Sequence, residues 1–275
     1  MDSPALIATA DNIENTLSQP TPSQKIRVEV SELSLKRAGR VILNKLNLSL
    51  ADTGITAVIG PSGAGKSSLL RCMNGLIKDW QGEIIVDGVA SKHWPAGEDA
   101  LRQHIGLIAQ KPTVFPCSIA DNVLFGIRGK KRRHDNSQLI ESCLKQAALW
   151  DEVSDRLNHD AQTLSIGQQQ RLCIARALAV KPAVILLDEP TASLDPRSKN
   201  KIEASLHGLA KTMPVVVVTH DLDQVRRLGG QAFFMCDGTL IEQGDSETLL
   251  NTPQRIETRE FFQWSVCDCP SDADK

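Results

Sequence analysis

Two kinds of hydrophobic pattern run along the chain. In "IRVEV" (26–30), "LSL" (33–35) and "LNLSL" (46–50) apolar and polar residues take turns, the period-two pattern of a strand with one wet face. These segments predict half-buried antiparallel strands. "ITAVI" (55–59), "AVILL" (183–187) and "VVVV" (215–218) are uninterrupted apolar runs, which suit strands covered on both faces of a parallel sheet. Two sheet types predict two subregions. Between Lys111 and Thr163 the strand patterning fades, and Leu139, Ile140, Cys143, Leu144, Ala147 and Ala148 recur at helical spacing. That stretch, residues 111–164, reads as an inserted helical subdomain. "FFMCDGTLIEQG" (233–244) reads as a closing hairpin turning at Asp237 and Gly238. The expected division is a polar extension over 1–24, one main domain over 25–250 and a tail over 251–275.

Composition narrows the class without naming it. With 275 residues, 41% hydrophobic and 23% charged, the chain has the make-up of a folded α/β protein of enzyme size. Basic and acidic residues number 31 and 33, so no global field recruits nucleic acid or an anionic membrane, and nucleic acid is not an expected partner. The local exception, Arg128 with Lys130, Lys131, Arg132, Arg133 and His134, reads as a solvated loop rather than a phosphate- or lipid-binding patch. Seven cysteines, an odd number without a secretory leader ahead of them, fit a reducing cytosol. Cys267 and Cys269 have no matching second pair and read as part of a free tail, not a metal site. No apolar run approaches the length that spans a bilayer.

Chemistry enters at "GPSGAGKS", residues 60–67, which follows the run 55–59 and precedes the helical spacing of Leu69, Leu70, Met73, Leu76 and Ile77. This is GxxxxGK[ST] in a strand, loop, helix context. Gly60, Pro61, Ser62, Gly63, Ala64 and Gly65 form a loop whose amides can turn inward around phosphate oxygens. The helix that opens at Lys66, Ser67 and Ser68 adds its positive dipole end. Lys66 supplies charge to the terminal phosphates and Ser67 a hydroxyl to Mg²⁺, so the loop predicts a nucleotide. Asp188 and Glu189 end the run 183–187, at the mouth of a parallel sheet, where Asp188 is expected at the metal and Glu189 at the attacking water. His220 ends the run 215–218 at the same rim, within reach of a terminal phosphate. Gln110, after "IGLIA" (105–109), offers a neutral amide to the same metal and water.

With "GPSGAGKS", Gln110, "LSIGQQQR" (164–171), "LLDEP" (186–190), "SLD" (193–195) and His220 in this order, the chain resembles the nucleotide-binding subunit of ABC transporters over residues 26–250. A small GTPase would need NKxD after the loop, and "NKLN" (44–47) precedes it. The resemblance implies a P-loop NTPase fold with a RecA-like parallel core, an N-terminal antiparallel β subdomain and the helical insertion. It implies ATP and Mg²⁺, and a head-to-tail pair in which Ser165, Gly167 and Gln168 of one copy meet the nucleotide of the other, with Asp195 crossing between them. The remaining partners it implies are two membrane permease subunits and, indirectly, a periplasmic solute-binding protein, with the chain on the cytoplasmic face of the inner membrane.

"QKPTVFPCSIADNVLFG" (110–126), "AALW" (147–150), "QQQRLCIARALA" (168–179) and "QAFFMCDGTLIEQG" (231–244) look like the ATP-binding subunit of bacterial phosphate importers. Import of another oxyanion or a polar amino acid stays open, as does a soluble ATPase of the same family acting away from membranes. Val114, Phe115 and Ile119 are either contacts for the membrane subunits or core. Three departures from the family pattern stand out. Arg37 in "RAGR" takes the place of the aromatic residue that stacks on adenine, and Ile166 takes the place of the first signature glycine. The link from the loop's helix to "GEIIVDG" (82–88) is short.

Overall fold

In the computed structural model, which describes residues 25–127 and 135–264, the uninterrupted apolar runs lie at the centre of a mostly parallel sheet. The chain opens with two long antiparallel strands, β1 (Ile26–Arg37) and β2 (Arg40–Ala51), then β3 (Gly54–Ile59) and helix α1 (Lys66–Met73). Strands β4 (Trp80–Val86) and β5 (Val89–Ala90), helix α2 (Glu98–His104) and strand β6 (Ile105–Ile108) follow. The helical segment holds α3 (Ile119–Val123), α4 (Ser137–Gln146) and α5 (Trp150–Val153), and leads into α6 (Ile166–Ala179). Next come β7 (Val184–Asp188), α7 (Pro196–Ala210), β8 (Pro214–Val218) and α8 (Leu222–Leu228). The hairpin β9 (Gln231–Cys236) and β10 (Thr239–Asp245) precedes α9 (Ser246–Asn251) and α10 (Ile256–Trp264).

One sheet has the order β10-β9-β3-β8-β7-β6 and is parallel except for the edge strand β10; the other, β2-β1-β4-β5, is antiparallel. Side-chain direction explains why β7 and β8 read as unbroken apolar runs. Val184, Leu186, Val216 and Val218 face the antiparallel sheet and α1, whereas Ile185, Leu187, Val215 and Val217 face α6 and α7. Both faces are covered, so neither tolerates a polar residue. A third cluster joins Ala57, Ile59 and Phe234 to Val225, Leu249 and Phe261.

The antiparallel region departs from the segments expected at 26–30 and 33–35, which are one strand. Register shifts between Val30 and Leu33, and Glu32 takes φ 51°. This bulge moves the buried phase from Val28 and Val30 to Leu33 and Leu35, so a break in alternation marks an extra residue rather than a strand end. Its partner β2 does the same at Lys45, φ 45°, between the buried Leu43 and Leu46. The segment 251–264, read as part of a tail, forms the end of α9 and then α10, which packs Phe261 against Phe234 at 5.2 Å between ring centroids. Ile119 is core at 0% exposure, whereas Val114 and Phe115 are half-buried, with Phe115 stacked on Phe125 at 3.8 Å. The extension 1–24, the basic run 128–134, Cys267 and Cys269 lie outside the described residues. Among the described residues no helix is long and apolar enough to cross a membrane.

Candidate nucleotide site

Strand order assembles this site. Strands β3, β8, β7 and β6 are neighbours and parallel, so their C-terminal ends share one edge. The residues that follow them are the glycine loop, His220, Asp188 with Glu189, and Gln110, and this edge is where α/β sheets gather ligands.

The loop leaves β3 at Gly60, φ 146°, where a Cβ would collide with the carbonyl oxygen of Met235. Gly65, φ 91°, caps α1, and a Cβ there would meet the Ile42 carbonyl and the Leu43 side chain. Only glycine lets the loop lie this close to β2 and β9. The Ala64 carbonyl accepts from the Gly238 N–H at 3.2 Å, which ties the loop to the β9–β10 turn. At the loop's centre the Lys66 ammonium donates to the carbonyls of Gly60 and Pro61, both at 2.7 Å. Burial lowers the Lys66 pKa, and the carboxylates of Glu189 and Asp188 push it back up.

Across the loop, the Ser67 hydroxyl donates to Asp188 Oδ1 at 2.8 Å, and Arg71 stands 3.9 Å from Asp188 Oδ2. Glu189 turns out of the strand with φ 47°, its N–H held by the Val218 carbonyl at 3.0 Å. Gln110 Nε2 donates to Glu189 Oε2 at 3.0 Å, and His220 Nδ1 lies 3.3 Å from the same oxygen. Gln110 and His220, from the two strand ends flanking its own, meet on the carboxylate of Glu189. Its side chain is 22% exposed and His220 67%, so the carboxylate is held and still reachable by water.

The cleft between these groups has a volume of about 660 Å³ and is lined by Ile42, Ser62, Gly63, Ala64, Gly65, Lys66, Ser67, Ser68, Gln110, Glu189 and His220. A second cleft of about 650 Å³ lies between β2, β10 and α9. Size does not separate the two. Only the first has a buried ammonium, a hydroxyl on a carboxylate and a glycine loop at a helix start, the combination that a nucleotide phosphate chain and its cation require.

The signature stretch stands elsewhere: Ser165, Gly167 and Gln168 do not line this cleft. Ser165 caps α6 in a reciprocal box, its N–H donating to Gln168 Oε1 at 3.0 Å and its Oγ accepting from the Gln168 N–H at 3.3 Å. Gln168 Nε2 donates to Glu152 Oε2 at 2.9 Å, so both ends of an amide expected to meet the nucleotide of a second copy are engaged within the chain. A Cβ on Gly167 would run into Ser198. Ile166 is 60% exposed. Asp195 caps α7 by accepting from the N–H groups of Arg197 and Ser198 at 3.0 and 3.1 Å.

Arg37 ends β1 at a hairpin turn made by Ala38 and Gly39, is exposed, and is not among the lining residues. Ile42 is, and sequence reasoning missed it; the signal available was the break in alternation at "VIL" (41–43). Nor did the sequence point to Met235 or Gly238, whose backbones shape the loop from β9 and its turn.

Compared with known proteins, residues 43–192 match the ABC transporter family. The phosphate import ATP-binding protein PstB of Pseudoalteromonas translucida is 42% identical over 247 residues, covering 87% of this chain and 90% of that protein. Among solved structures, cbiO1 from Clostridium perfringens, part of the ABC transporter complex cbiONQ, superposes with a TM-score of 0.73 at 27% identity, over 87% of this chain and 96% of that one. The ATP-binding cassette MJ0796, solved as a dimer in a post-hydrolysis state with ADP and Pi, gives 0.69 at 30% identity, over 80% and 98%.

Proposed function

The chain belongs to the ABC transporter family, and from that premise we propose that it is the ATP-hydrolysing subunit of an importer of inorganic phosphate. The observation that carries the chemistry is the meeting of Gln110 and His220 on Glu189 beside the loop that encloses Lys66. The relatives that import phosphate, 40–42% identical over most of their length, support the cargo.

In this reading the phosphates of ATP lie along the loop amides and the N-terminal end of α1, with Lys66 neutralising charge at the terminal phosphates. Ser67 and Asp188, with the carbonyl oxygen of Gln110, are hard oxygen donors of the kind magnesium takes, and they would hold it; the ion supplies charge neutralisation to the β and γ phosphates. Glu189 orients a water and takes its proton as the water oxygen bonds to the γ phosphorus and the bond to the bridging oxygen of ADP breaks. His220, its Nδ1 beside Glu189, lines the cleft where the γ-phosphate would lie. Rate is gained by positioning and by fixed charge rather than by covalent chemistry.

The signature residues complete the reading at the level of the pair. Ser165 and Gly167, away from their own cleft, face the nucleotide of a second copy packed head to tail, and Asp195 lies between the two sites. Two permease subunits dock on the cytoplasmic face of the inner membrane, around the half-buried Val114 and Phe115, and a periplasmic binding protein delivers the solute to them.

Two measurements test this. Glu189→Gln is expected to bind ATP as the wild type does and to lose turnover by at least about a hundredfold; wild-type rates in that variant would overturn the assignment of Glu189. In proteoliposomes with the permease pair and binding protein, phosphate is expected to stimulate ATPase activity. Stimulation by sulfate or a polar amino acid in its place would reject the cargo and keep the enzyme.

A further inference from the structure

Glu189, His220 and Asp195 each begin a new segment of chain, and one buried side chain joins all three segments. Gln224, 0% exposed, lies one turn into α8, the helix that follows His220. Its Nε2 donates to the Thr191 hydroxyl at 2.8 Å and to Glu203 Oε1 at 3.2 Å. Thr191, itself buried, stands in the turn directly after Glu189, where the Ala192 N–H is bonded to the Glu189 carbonyl at 3.1 Å. Glu203 belongs to α7, the helix that Asp195 caps.

Arg227 determines which way the hub points. Its Nε donates to Glu203 Oε2 and its Nη2 to Glu203 Oε1, each at 2.9 Å, a bidentate pair in which both carboxylate oxygens accept. A carboxylate accepts and does not donate, so the amide must turn its N–H₂ toward Glu203. The consequence is that Gln224 Oε1 is buried with no hydrogen-bond partner. An apolar side chain of the same shape would avoid that bare acceptor, so stability is a poor reason for an amide here. Geometry is a better one. His220 is exposed and touches Glu189 at 3.3 Å, so its place depends on where the junction of β8 and α8 is held relative to the turn after β7.

We propose that Gln224 is a positioning residue: by bonding Thr191 and Glu203 at once it sets the spacing of His220 and Glu189 without touching substrate. The inference rests on the ATPase reading above. Its action is on turnover, because the phosphate loop that dominates ATP affinity lies on β3 and α1, outside this network.

The test uses the full-length chain with Mg²⁺ and ATP. Gln224→Met keeps length and removes the N–H groups; Thr191→Val keeps shape and removes the hydroxyl. Each is expected to lower kcat by about tenfold to a hundredfold with KM for ATP within about twofold. The double variant is expected to fall no further than the worse single one, and Thr191→Ser to retain wild-type kcat. A merely structural role would lower the melting temperature without that split and without the non-additivity. Wild-type kcat in folded Gln224→Met, or kcat losses that add in the double variant, overturns the proposal. Should Gln224→Met fail to fold, Thr191→Val against Thr191→Ser decides it: equal, undiminished kcat in both overturns it. Absence of wild-type turnover sinks the ATPase reading and this inference together, whereas normal turnover in both variants sinks this inference alone.

Discussion

Gly60, where the glycine loop leaves β3, has little conformational freedom. Its φ of 146° is open to glycine, and the space a side chain would take is filled by the Met235 carbonyl. Backbone cannot move aside as a side chain can, so Gly60→Ala must shift either the loop or β9. The expected result is loss of ATP binding together with a destabilisation of about 1–3 kcal/mol, read by nucleotide titration and thermal melting. Normal affinity would mean that the loop relaxes without cost. Lys66 and Ser67, by contrast, were identifiable from residue type and spacing alone, because a phosphate needs a cation and its metal a hydroxyl. Ile42 carries no chemical mark, and its one signal in the sequence is the break in alternation at "VIL" (41–43).

At the scale of elements, Glu152 ties three helices together. It sits on α5 yet accepts from Arg171 at 2.6 and 3.0 Å and from Gln168 at 2.9 Å on α6, and from Lys201 at 2.5 Å on α7. The Arg171 hydrogen bond above all, opposed by burial and aided by Lys201 and Gln168, holds its carboxyl at about 2 against an ordinary 4.5. A depressed pKa stabilises the fold above the unfolded value, and that contribution is lost as pH falls through the folded one. Between pH 4.5 and 2 the wild type is therefore expected to lose melting temperature more steeply than Glu152→Gln, which starts lower at neutral pH. Parallel melting curves would show that the carboxylate is not linked to folding.

Most element types were legible in the sequence because they follow from local period. The apolar runs became β3, β7 and β8, and the hairpin at Asp237 and Gly238 formed as expected. What escaped was the continuity of β1 through its bulge at Glu32. One inserted residue inverts the period-two pattern, and inverted alternation looks the same as two separate strands.

At the scale of the molecule, the signature and the phosphate loop of one chain do not share a cleft. If each completes the other's site in a second copy, nucleotide should hold two chains together when hydrolysis is blocked. Glu189→Gln is expected to double its mass from 30.0 kDa on adding Mg²⁺ and ATP, measured by light scattering, and to return to it when nucleotide is removed. A constant mass would reject the head-to-tail pair. Ile166, exposed at the start of α6, stands where that contact would form.

The sequence by itself determined the phosphate loop, the acidic strand end, the histidine and the two kinds of strand, because each depends on residues close together in the chain. Tertiary structure alone decided who meets whom. Gln110, Glu189 and His220 converge because β6, β7 and β8 lie side by side, and strand order follows from crossover connections and burial rather than from local period. The Gln224 network belongs to the same class: buried hydrogen bonds are specified by what packs around them, and no spacing along the chain encodes it.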